Sequence, residues 1–374
     1  MTNRSIRTMS SALLAGACLA GAQTPSAPLV NLSFKDSSGG WMVLGGSSKM
    51  SISHDPEIAI PTAGALKYDY AITKGEFSGL YMPIALGDWA KAKSVKFRVH
   101  ADTATLLAIA LQEQDGGRYV SMVQVPKDAW QPIELSTSDF ILSQDPGDPK
   151  DPDGKLDMDR VTNIAIADVS QYFLAMDNQP LVNLLDIKKG NHAMYIDSFT
   201  VGTDPIPAGS ASKGDEIQVE TFVHPQLSWF SLGGIKLSRS VAAKPLEGPA
   251  LRAEYHQTPG KPAVLSRALP SWILSGAKTL SFDVASVQPT KLIVQLEQID
   301  GGKYNMVVDL PGGSVSQHKT LLLSGFARGD DSKDSDTKPH LALVKSLTLI
   351  DVTGMIDQSD HDTTLWINHI VAGG

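Results

Sequence analysis

The chain has 374 residues and a formal net charge of −8, which is enough length for two or three domains of ordinary size. Charged residues make up only 19% and acidic ones outnumber basic ones, so the composition excludes a large cationic surface for nucleic acid. Hydrophobic residues make up 42%, sufficient for each domain to bury a core. The 32 glycines and 22 prolines favour short strands and many turns over long helices.

The N-terminal segment, residues 1–22, predicts a secretory signal peptide. Arg4 and Arg7 form a positively charged start, a stretch of small apolar residues follows, and Ala-Gly-Ala at 20–22 is typical of a cleavage site. The segment is too short and too small-sided for a membrane span, and no other apolar run reaches about 18 residues. We therefore expect an exported protein, periplasmic or extracellular, without a transmembrane segment.

Cys18 is the only cysteine of the chain and allows two interpretations. In the first, it is removed with the signal segment, and the mature protein has no disulfide. In the second, residues 14–18 resemble a bacterial lipoprotein signal, and Cys18 carries a lipid anchor at the outer membrane. Both interpretations stay open at the level of sequence.

An internal repeat organises the rest of the chain. Residues 34–46 match 222–234 at an offset of 188, and residues 111–119 match 296–304 at an offset of 185. Four further segments match in the same order, with offsets that change only through loops, which indicates a duplication. We predict one domain at 23–204, a second at 217–374, and a linker at 205–216 that is rich in Pro, Gly and Ser.

Each repeat shows the alternation that is typical of half-buried strands. The odd-numbered residues of 107–111 are Leu or Ile, whereas the even-numbered residues between them are small, and Gln112 follows on the same side. Segment 292–296 repeats this pattern, and Asp-Gly-Gly after each segment predicts a tight hairpin turn. Short strands at regular spacing predict an all-β protein of two tandem antiparallel β-sandwich (jelly-roll) domains.

Diffuse motifs in repeat 1 add a family resemblance. In chain order they are Phe34 and Trp41, the Asp-Gly turn at 115–116, Trp-Gln-Pro-Ile at 130–133, Ser-Asp-Phe at 138–140, Gly-Lys-Leu-Asp at 154–157, Val-x-x-Ile-x-Ile-x-Asp at 161–168 and Tyr-Ile-Asp-Ser-Phe at 195–199. This order resembles the galactose-binding-like jelly rolls. Within them it is most similar to β-glucan-type carbohydrate-binding modules and to the complex I intermediate-associated protein domain. Repeat 2 departs from the pattern, since Gln-His-Lys at 317–319 replaces Trp-Gln-Pro and Asn368 replaces the last Asp.

The resemblance implies that a polysaccharide or cell-surface glycan lies across the concave sheet of a module, where aromatic rings stack on sugars and polar groups bond the hydroxyls. The candidate ligand-binding residues are Gln112, Tyr119, Gln124, Gln295, Glu297, Tyr304 and Asp309. An alternative is that these are ordinary residues of a solvated sheet face, since the aromatic content is only 6%. Four tryptophans near fold-marker positions are instead expected in the cores: Trp41, Trp89, Trp229 and Trp272.

Calcium is the one cofactor that the sequence suggests. The acidic loop 145–159 contains Asp151, Asp153 and Asp157, and hard carboxylate oxygens are the ligands that calcium prefers. Repeat 2 has a second acidic loop at 330–336, whereas a purely solubilising role is the competing interpretation of both loops. The resemblance also implies a structural calcium ion near Asp197.

Catalytic signatures are absent from the sequence. It contains no Gly-x-Ser-x-Gly and no His-Glu-x-x-His. Glu113 and Asp115 are close in sequence, but they flank a hairpin where we expect solvent exposure. We therefore predict a non-catalytic protein that binds polysaccharide or glycan, in which two linked modules raise avidity. One alternative is a structural or scaffold protein of the cell envelope. A second alternative is a jelly-roll polysaccharide lyase or glycosidase.

Overall fold

The predicted signal segment, Cys18 and most of the predicted linker lie outside the described part of the chain. The computed structural model describes residues 26–58, 60–145, 147–175, 187–206, 216–232, 234–242, 244–270 and 272–374. Within these residues, no helix has both the length and the hydropathy needed to cross a membrane.

Repeat 1 folds as two six-stranded antiparallel sheets that enclose one core. Its strands are β1 (Val30–Leu32), β2 (Met42–Leu44), β3 (Lys49–Ser53), β4 (Ala65–Ile72), β5 (Gly79–Pro83), β6 (Ser94–Ala101), β7 (Thr105–Glu113), β8 (Arg118–Val125), β9 (Gln131–Ser136), β10 (Ile141–Leu142), β11 (Val161–Asp168) and β12 (Gly190–Gly202). One sheet has the order β3-β4-β12-β6-β9, with β1 also on β12, and the other has the order β10-β8-β7-β11-β5-β2. The described helices are α1 (Val169–Ala175) and two 3-10 turns, Pro56–Ile58 and Thr137–Asp139.

Repeat 2 has the same topology. Its strands are β13 (Ile217–Glu220), β14 (Phe230–Leu232), β15 (Lys236–Ser240), β16 (Ala250–Gln257), β17 (Ala263–Ala268), β18 (Thr279–Ser286), β19 (Thr290–Gln298), β20 (Lys303–Leu310), β21 (Gln317–Leu322), β22 (Ala327–Arg328), β23 (Val344–Asp351) and β24 (His361–Gly373). The sheet orders are β15-β16-β24-β18-β21, with β13 on β24, and β14-β17-β23-β19-β20-β22. Helix α2 (Thr353–Ile356) and the 3-10 turns Leu323–Gly325 and Leu341–Leu343 complete the repeat.

The predicted alternation and the all-β fold are confirmed. Leu107, Ile109 and Leu111 of β7 are buried, as are the corresponding residues of β19, whereas the residues between them lie on the opposite face. Because each fully buried aliphatic side chain of this size stabilises the fold by about 1.5–3 kcal/mol, the alternation of β7 and β19 anchors both sandwiches.

Three of the four tryptophans lie in the cores as predicted, and the prediction for Trp272 is wrong. Trp41, Trp89 and Trp229 are buried, whereas 66% of the Trp272 surface is exposed. The reason is register. At the offset of 185 that the neighbouring strands share, the residue equivalent to Trp89 is Leu274 and not Trp272. The buried side chain of Leu274 fills that core position.

A short segment of repeat 2, residues 225–227, contacts two strand edges of repeat 1. The Gln226 Oε1 accepts the Glu134 N–H at 3.1 Å, and its Nε2 donates to the Glu134 carbonyl at 2.5 Å. The Gln124 N–H donates to the Leu227 carbonyl at 2.8 Å. Since strand edges expose unpaired backbone groups, this segment covers part of the edges of β8 and β9 and joins the repeats by direct contact.

Candidate functional site

A cleft of about 860 Å³ lies between the repeats. One side is the solvent-facing surface of the β10-β8-β7-β11-β5-β2 sheet of repeat 1, and the other side comes from β14, β17 and neighbouring parts of repeat 2. The volume is within the range of about 300–1,000 Å³ that is usual for small-ligand sites.

Small side chains form the floor of the cleft. Across neighbouring strands, Ala165 pairs with Tyr81 on one side and with Ala110 on the other, and Ala110 pairs with Val120, which pairs with Ile141. Because two alanines lie between larger residues, the sheet has a shallow trough there, with the Tyr81 ring on one side. A ligand can approach the sheet closely along this row.

A polar row runs beside the apolar floor. Asn163 of β11 pairs with Gln112 of β7, which pairs with Arg118 of β8. The Gln112 Oε1 accepts the Arg118 Nε–H at 3.3 Å, and its Nε2 donates to the Gly117 carbonyl at 3.0 Å. These contacts hold the Gln112 amide in place. The site therefore presents an apolar strip and an adjacent strip of amide groups.

Among the described residues, five aromatic rings line the cleft: Phe77, Tyr81, Tyr172, Phe173 and Phe230. Phe77 and Tyr172 expose 48% and 41% of their surface. The Tyr172 hydroxyl donates to Asp145, and this bond, aided by partial burial, raises the pKa of Tyr172 to about 12. Tyr172 is therefore neutral near pH 7.

These aromatic residues are not among the ligand-binding residues predicted from the sequence, although the strand pattern does predict the direction of one of them. Leu80 and Met82 of β5 are buried, so the Tyr81 between them must face outward. The other four lie in a loop, in α1 or in repeat 2. No strand of repeat 1 predicts their position by alternation.

Repeat 2 supplies the opposite side of the cleft. Phe230 of β14, Ser266 and Ala268 of β17, and Glu297 of β19 all line it. In the alignment of the repeats Phe230 corresponds to Met42, so repeat 2 contributes a ring where repeat 1 has a thioether. The two sandwiches thus share one cleft although their facing residues differ.

The positive charges of the described cleft lining are all paired with carboxylates. The pairs are Arg118 with Asp148 at 2.5 Å, Lys345 with Glu297 at 2.9 Å, and Arg267 with Glu220. Three further carboxylates of the described lining, Asp139, Asp145 and Asp168, accept hydrogen bonds from the protein itself. The electrostatics of the described cleft therefore offer no unpaired cation to a ligand.

The predicted ligand-binding residues are divided by the structure. Gln112 and Glu297 both line the cleft, on opposite sides. Gln124, Gln295 and Asp309 are on the solvent-facing side of their strands, as the alternation predicted, but they lie outside the cleft lining. Gln112 and Glu297 are therefore the two predicted ligand-binding residues that the structure brings together in one cleft.

The three residues outside the cleft have local partners. Gln124 contributes its N–H to the contact between the repeats, at 2.8 Å from the Leu227 carbonyl. Gln295 donates its Nε2 to Asn305 at 2.9 Å, and exposed Asp309 pairs with Lys291 at 3.2 Å.

The expectation that Tyr119 and Tyr304 stack on a ligand is corrected by the structure. Both rings are buried on the core side of their strands. Tyr119 pairs directly with core residue Leu111 across the hairpin, so it must share that face. Its hydroxyl donates to Asp151, as the Tyr304 hydroxyl does to the second acidic loop. These tyrosines hold the loops against the sandwiches.

Calcium in the acidic loop of repeat 1 stays a prediction. Among the described residues, no three His, Cys, Asp or Glu side chains come together in a way that could hold a metal. Asp151 accepts the Tyr119 hydroxyl, Asp153 accepts the Lys155 N–H at 3.0 Å, and Asp157 contributes its N–H to another carboxylate. These contacts order the loop itself.

Asp197 does not fit the calcium site that the resemblance implied. Its buried carboxylate has the Arg98 Nη2 at 2.7 Å and accepts hydrogen bonds from the hydroxyls of Thr62 and Ser198. A guanidinium group therefore supplies the positive charge that a calcium ion would bring.

Glu113 is buried, which corrects the expectation that it faces solvent. Its Oε1 accepts the Asp157 N–H at 2.5 Å. Burial raises the pKa of Glu113, and the charges of Asp151 and Asp157 raise it further. The corresponding residue of repeat 2 is neutral Gln298, whose Nε2 donates to Asp334 at 3.1 Å. At this position repeat 2 therefore has a neutral amide that donates a hydrogen bond, whereas repeat 1 has a buried carboxyl group.

We expect Glu113→Gln to stabilise repeat 1 by about 1 kcal/mol near neutral pH, the usual size of a single favourable substitution. The raised pKa means that the wild-type carboxyl is penalised above the unfolded-state pKa of about 4.3, and that the penalty disappears as the pH falls. The gain of the variant should therefore be largest near pH 7 and vanish at low pH. Thermal unfolding of both proteins across this range measures it.

The control for this substitution is Glu76→Gln, which removes the charge of an exposed carboxylate. We expect its effect to stay within about 0.5 kcal/mol at every pH. An equal stabilisation by both substitutions, or a gain for Glu113→Gln that does not depend on pH, would contradict the assignment of a buried charge.

No protein-family model matches the chain, and no curated protein matches it. Solved structures similar to it include a family 11 carbohydrate-binding module from Clostridium thermocellum in complex with a β-1,3-1,4-mixed-linked tetrasaccharide, at 18% identity and a TM-score of 0.34, covering 46% of this chain and 93% of that chain. The tandem CBM22-1-CBM22-2 domain of Paenibacillus barcinonensis Xyn10C is similar at 10% identity and a TM-score of 0.30, covering 95% and 100%.

Proposed function

We propose that the protein binds polysaccharide in the cleft between its repeats, without cleaving it. The observation that carries this proposal is the apolar trough beside Tyr81, flanked by the amide row of Gln112 and Asn163. A sugar ring has an apolar face and a rim of hydroxyls, and a site with an aromatic wall and adjacent amides is complementary to both.

The charges of the cleft favour binding over catalysis. A glycosidase needs two carboxyl groups that are free to act on one glycosidic bond. Among the five carboxylates of the described lining, Glu297 is paired with Lys345 and Asp148 with Arg118. The other three accept hydrogen bonds from the protein: Asp139 from the Ser136 N–H, Asp145 from the Tyr172 hydroxyl and Asp168 from the Tyr70 hydroxyl. We therefore expect no release of reducing ends when the protein is incubated with any polysaccharide that it binds.

The site of action is part of the proposal. The features of residues 1–22 support export to the periplasm or the cell exterior, where polysaccharides and cell-surface glycans are available. Cys18 gives this proposal two forms, a released protein and an outer-membrane lipoprotein. Metabolic labelling of the expressed full-length chain with a fatty acid, compared with Cys18→Ser, distinguishes them.

Tyr81→Ala tests the binding proposal. We expect the wild-type protein to be retarded by at least one polysaccharide in affinity electrophoresis across a panel of soluble chains. Removal of the ring should weaken that binding about tenfold, the loss that is typical of a central aromatic anchor. The matched control is Val307→Ala, which shortens a side chain that is 62% exposed and lies outside the cleft lining.

The Val307→Ala protein should bind like the wild type. The proposal is wrong if no polysaccharide of the panel retards the wild-type protein. It is also wrong if the Tyr81→Ala protein, shown to be folded by its thermal unfolding, binds with unchanged affinity.

A further inference from the structure

We infer that the two repeats form one composite site for a single uncharged polysaccharide chain. They would not act as two separate modules, each with a site of its own. This inference rests on the proposed function and extends it in two respects. Repeat 2 contributes a wall of the site, and the charges of the cleft select the class of ligand.

The first step is that direct contacts hold the repeats together. The Gln226 amide makes two hydrogen bonds to the Glu134 backbone, and the Gln131 Nε2 donates to the Pro225 carbonyl at 3.0 Å. With the Leu227 contact to β8, these bonds fix a segment of repeat 2 on two strands of repeat 1. The relative position of the repeats is therefore set by pairing of backbone groups as well as by the tether.

The second step is that the same segment leads directly into the wall of the cleft. Phe230, the first residue of β14, follows Leu227 by three positions, and Ser228 between them also lines the cleft. Phe230 pairs with Ser266 of β17, which lines the cleft as well. The docking contact thus places an aromatic ring of repeat 2 opposite the trough of repeat 1.

The charges of the cleft lining disfavour an anionic ligand. Each cation of the described lining is neutralised by a partner: Arg118 by Asp148, Lys345 by Glu297 and Arg267 by Glu220. The carboxylates Asp139 and Asp145, and the fully buried Asp168, have no cation of the described lining at salt-bridge distance. An anionic chain would need to break an ion pair and would meet these carboxylates, whereas an uncharged chain meets neither cost.

Affinity electrophoresis of full-length variants tests the composite site, with a mixed-linkage β-glucan, a galactomannan and agarose as uncharged probes and polygalacturonate as the anionic one. We expect Phe230→Ala to weaken binding of the retained uncharged chain about tenfold, as Tyr81→Ala does. Val307→Ala, on the same repeat but outside the cleft, should have no effect. Polygalacturonate should bind neither the wild type nor any of the variants.

Two further measurements separate a shared site from separate sites. Gln226→Ala removes the docking amide without removing a residue of the cleft lining, so it should weaken binding about tenfold while each repeat keeps its own thermal transition. Titration calorimetry with a short oligosaccharide of the retained chain should give one binding event per protein molecule.

Each contrary outcome identifies what fails. If Tyr81→Ala weakens binding but Phe230→Ala and Gln226→Ala do not, repeat 1 binds alone and the composite site is wrong while the proposed function stands. Two binding events per chain lead to the same conclusion. Preferential binding of polygalacturonate overturns the selection for uncharged chains. If none of the four chains is bound, the proposed function fails together with the inference.

Discussion

Replacing Asp351 by alanine is expected to lower the free energy of unfolding of repeat 2 by about 3–5 kcal/mol. This carboxylate is buried at the end of β23. Its Oδ2 accepts the Tyr255 hydroxyl and the Gln257 Nε2, both at 2.8 Å, and its Oδ1 accepts the Thr353 N–H at 2.8 Å. The Thr353 hydroxyl also donates to Oδ1. Alanine leaves all four buried donors without this acceptor, and each lost partner carries a desolvation cost.

Calorimetric unfolding of the full chain measures this effect, because the transition of repeat 2 should shift while that of repeat 1 stays in place. Asp351→Asn keeps one acceptor oxygen and should lose less stability than the alanine variant. The control is Asp360→Ala, which removes an exposed carboxylate 2.8 Å from the His256 Nε2 and should cost under about 1 kcal/mol. A loss for Asp351→Ala no larger than that of the control would contradict the role of the buried network.

Repeat 1 contains the same network, and the sequence largely predicts it. Asp168 accepts the Tyr70 hydroxyl at 2.8 Å and the Ser170 N–H at 2.8 Å. The segment 161–168 matches 344–351, so the duplication itself marks the shared aspartate. Features that serve the scaffold recur in both repeats because both must solve the same packing problem. That recurrence is why the fold was predictable.

Alternation predicts which face each strand residue takes, and it contradicts the stacking role expected for the two tyrosines. Tyr119 and Gln124 are five positions apart on β8, and residues an odd number apart on a strand point to opposite faces. Gln124 is on the solvent-facing side, so Tyr119 must be in the core. The same spacing separates Tyr304 from Asp309 on β20.

The composite cleft has no comparable signal in the sequence. It depends on Gln226 meeting the backbone of Glu134, residues 92 positions apart that belong to different domains. No hydrophobic period or turn motif encodes such a contact, because a glutamine next to a proline is compatible with any exposed loop. Alternation within one repeat predicts the floor of the cleft, whereas its far wall follows only from how the repeats dock.

Raising the pH above about 10 is expected to destabilise both repeats steeply. Burial, together with the adjacent carboxylates Asp168 and Asp351, raises the pKa of Tyr70 and of Tyr255 far above the usual range. In the unfolded chain these tyrosines ionise near a pH of about 10, whereas in the folded protein they stay protonated. Their stabilising contribution is therefore complete below about pH 10 and is lost as the pH rises further, by about 1.4 kcal/mol per pH unit for each tyrosine.

Urea unfolding at a series of pH values between about 8 and 11 measures the slope, and tyrosinate absorbance follows ionisation directly. Ionisation of the buried tyrosines should coincide with loss of structure. Tyr255→Phe should make the alkaline slope of repeat 2 shallower by about 1.4 kcal/mol per pH unit and leave that of repeat 1 unchanged. If the wild type and this variant lose stability at the same rate above a pH of about 10, buried tyrosines do not control the alkaline limit, and exposed groups such as lysines must be responsible.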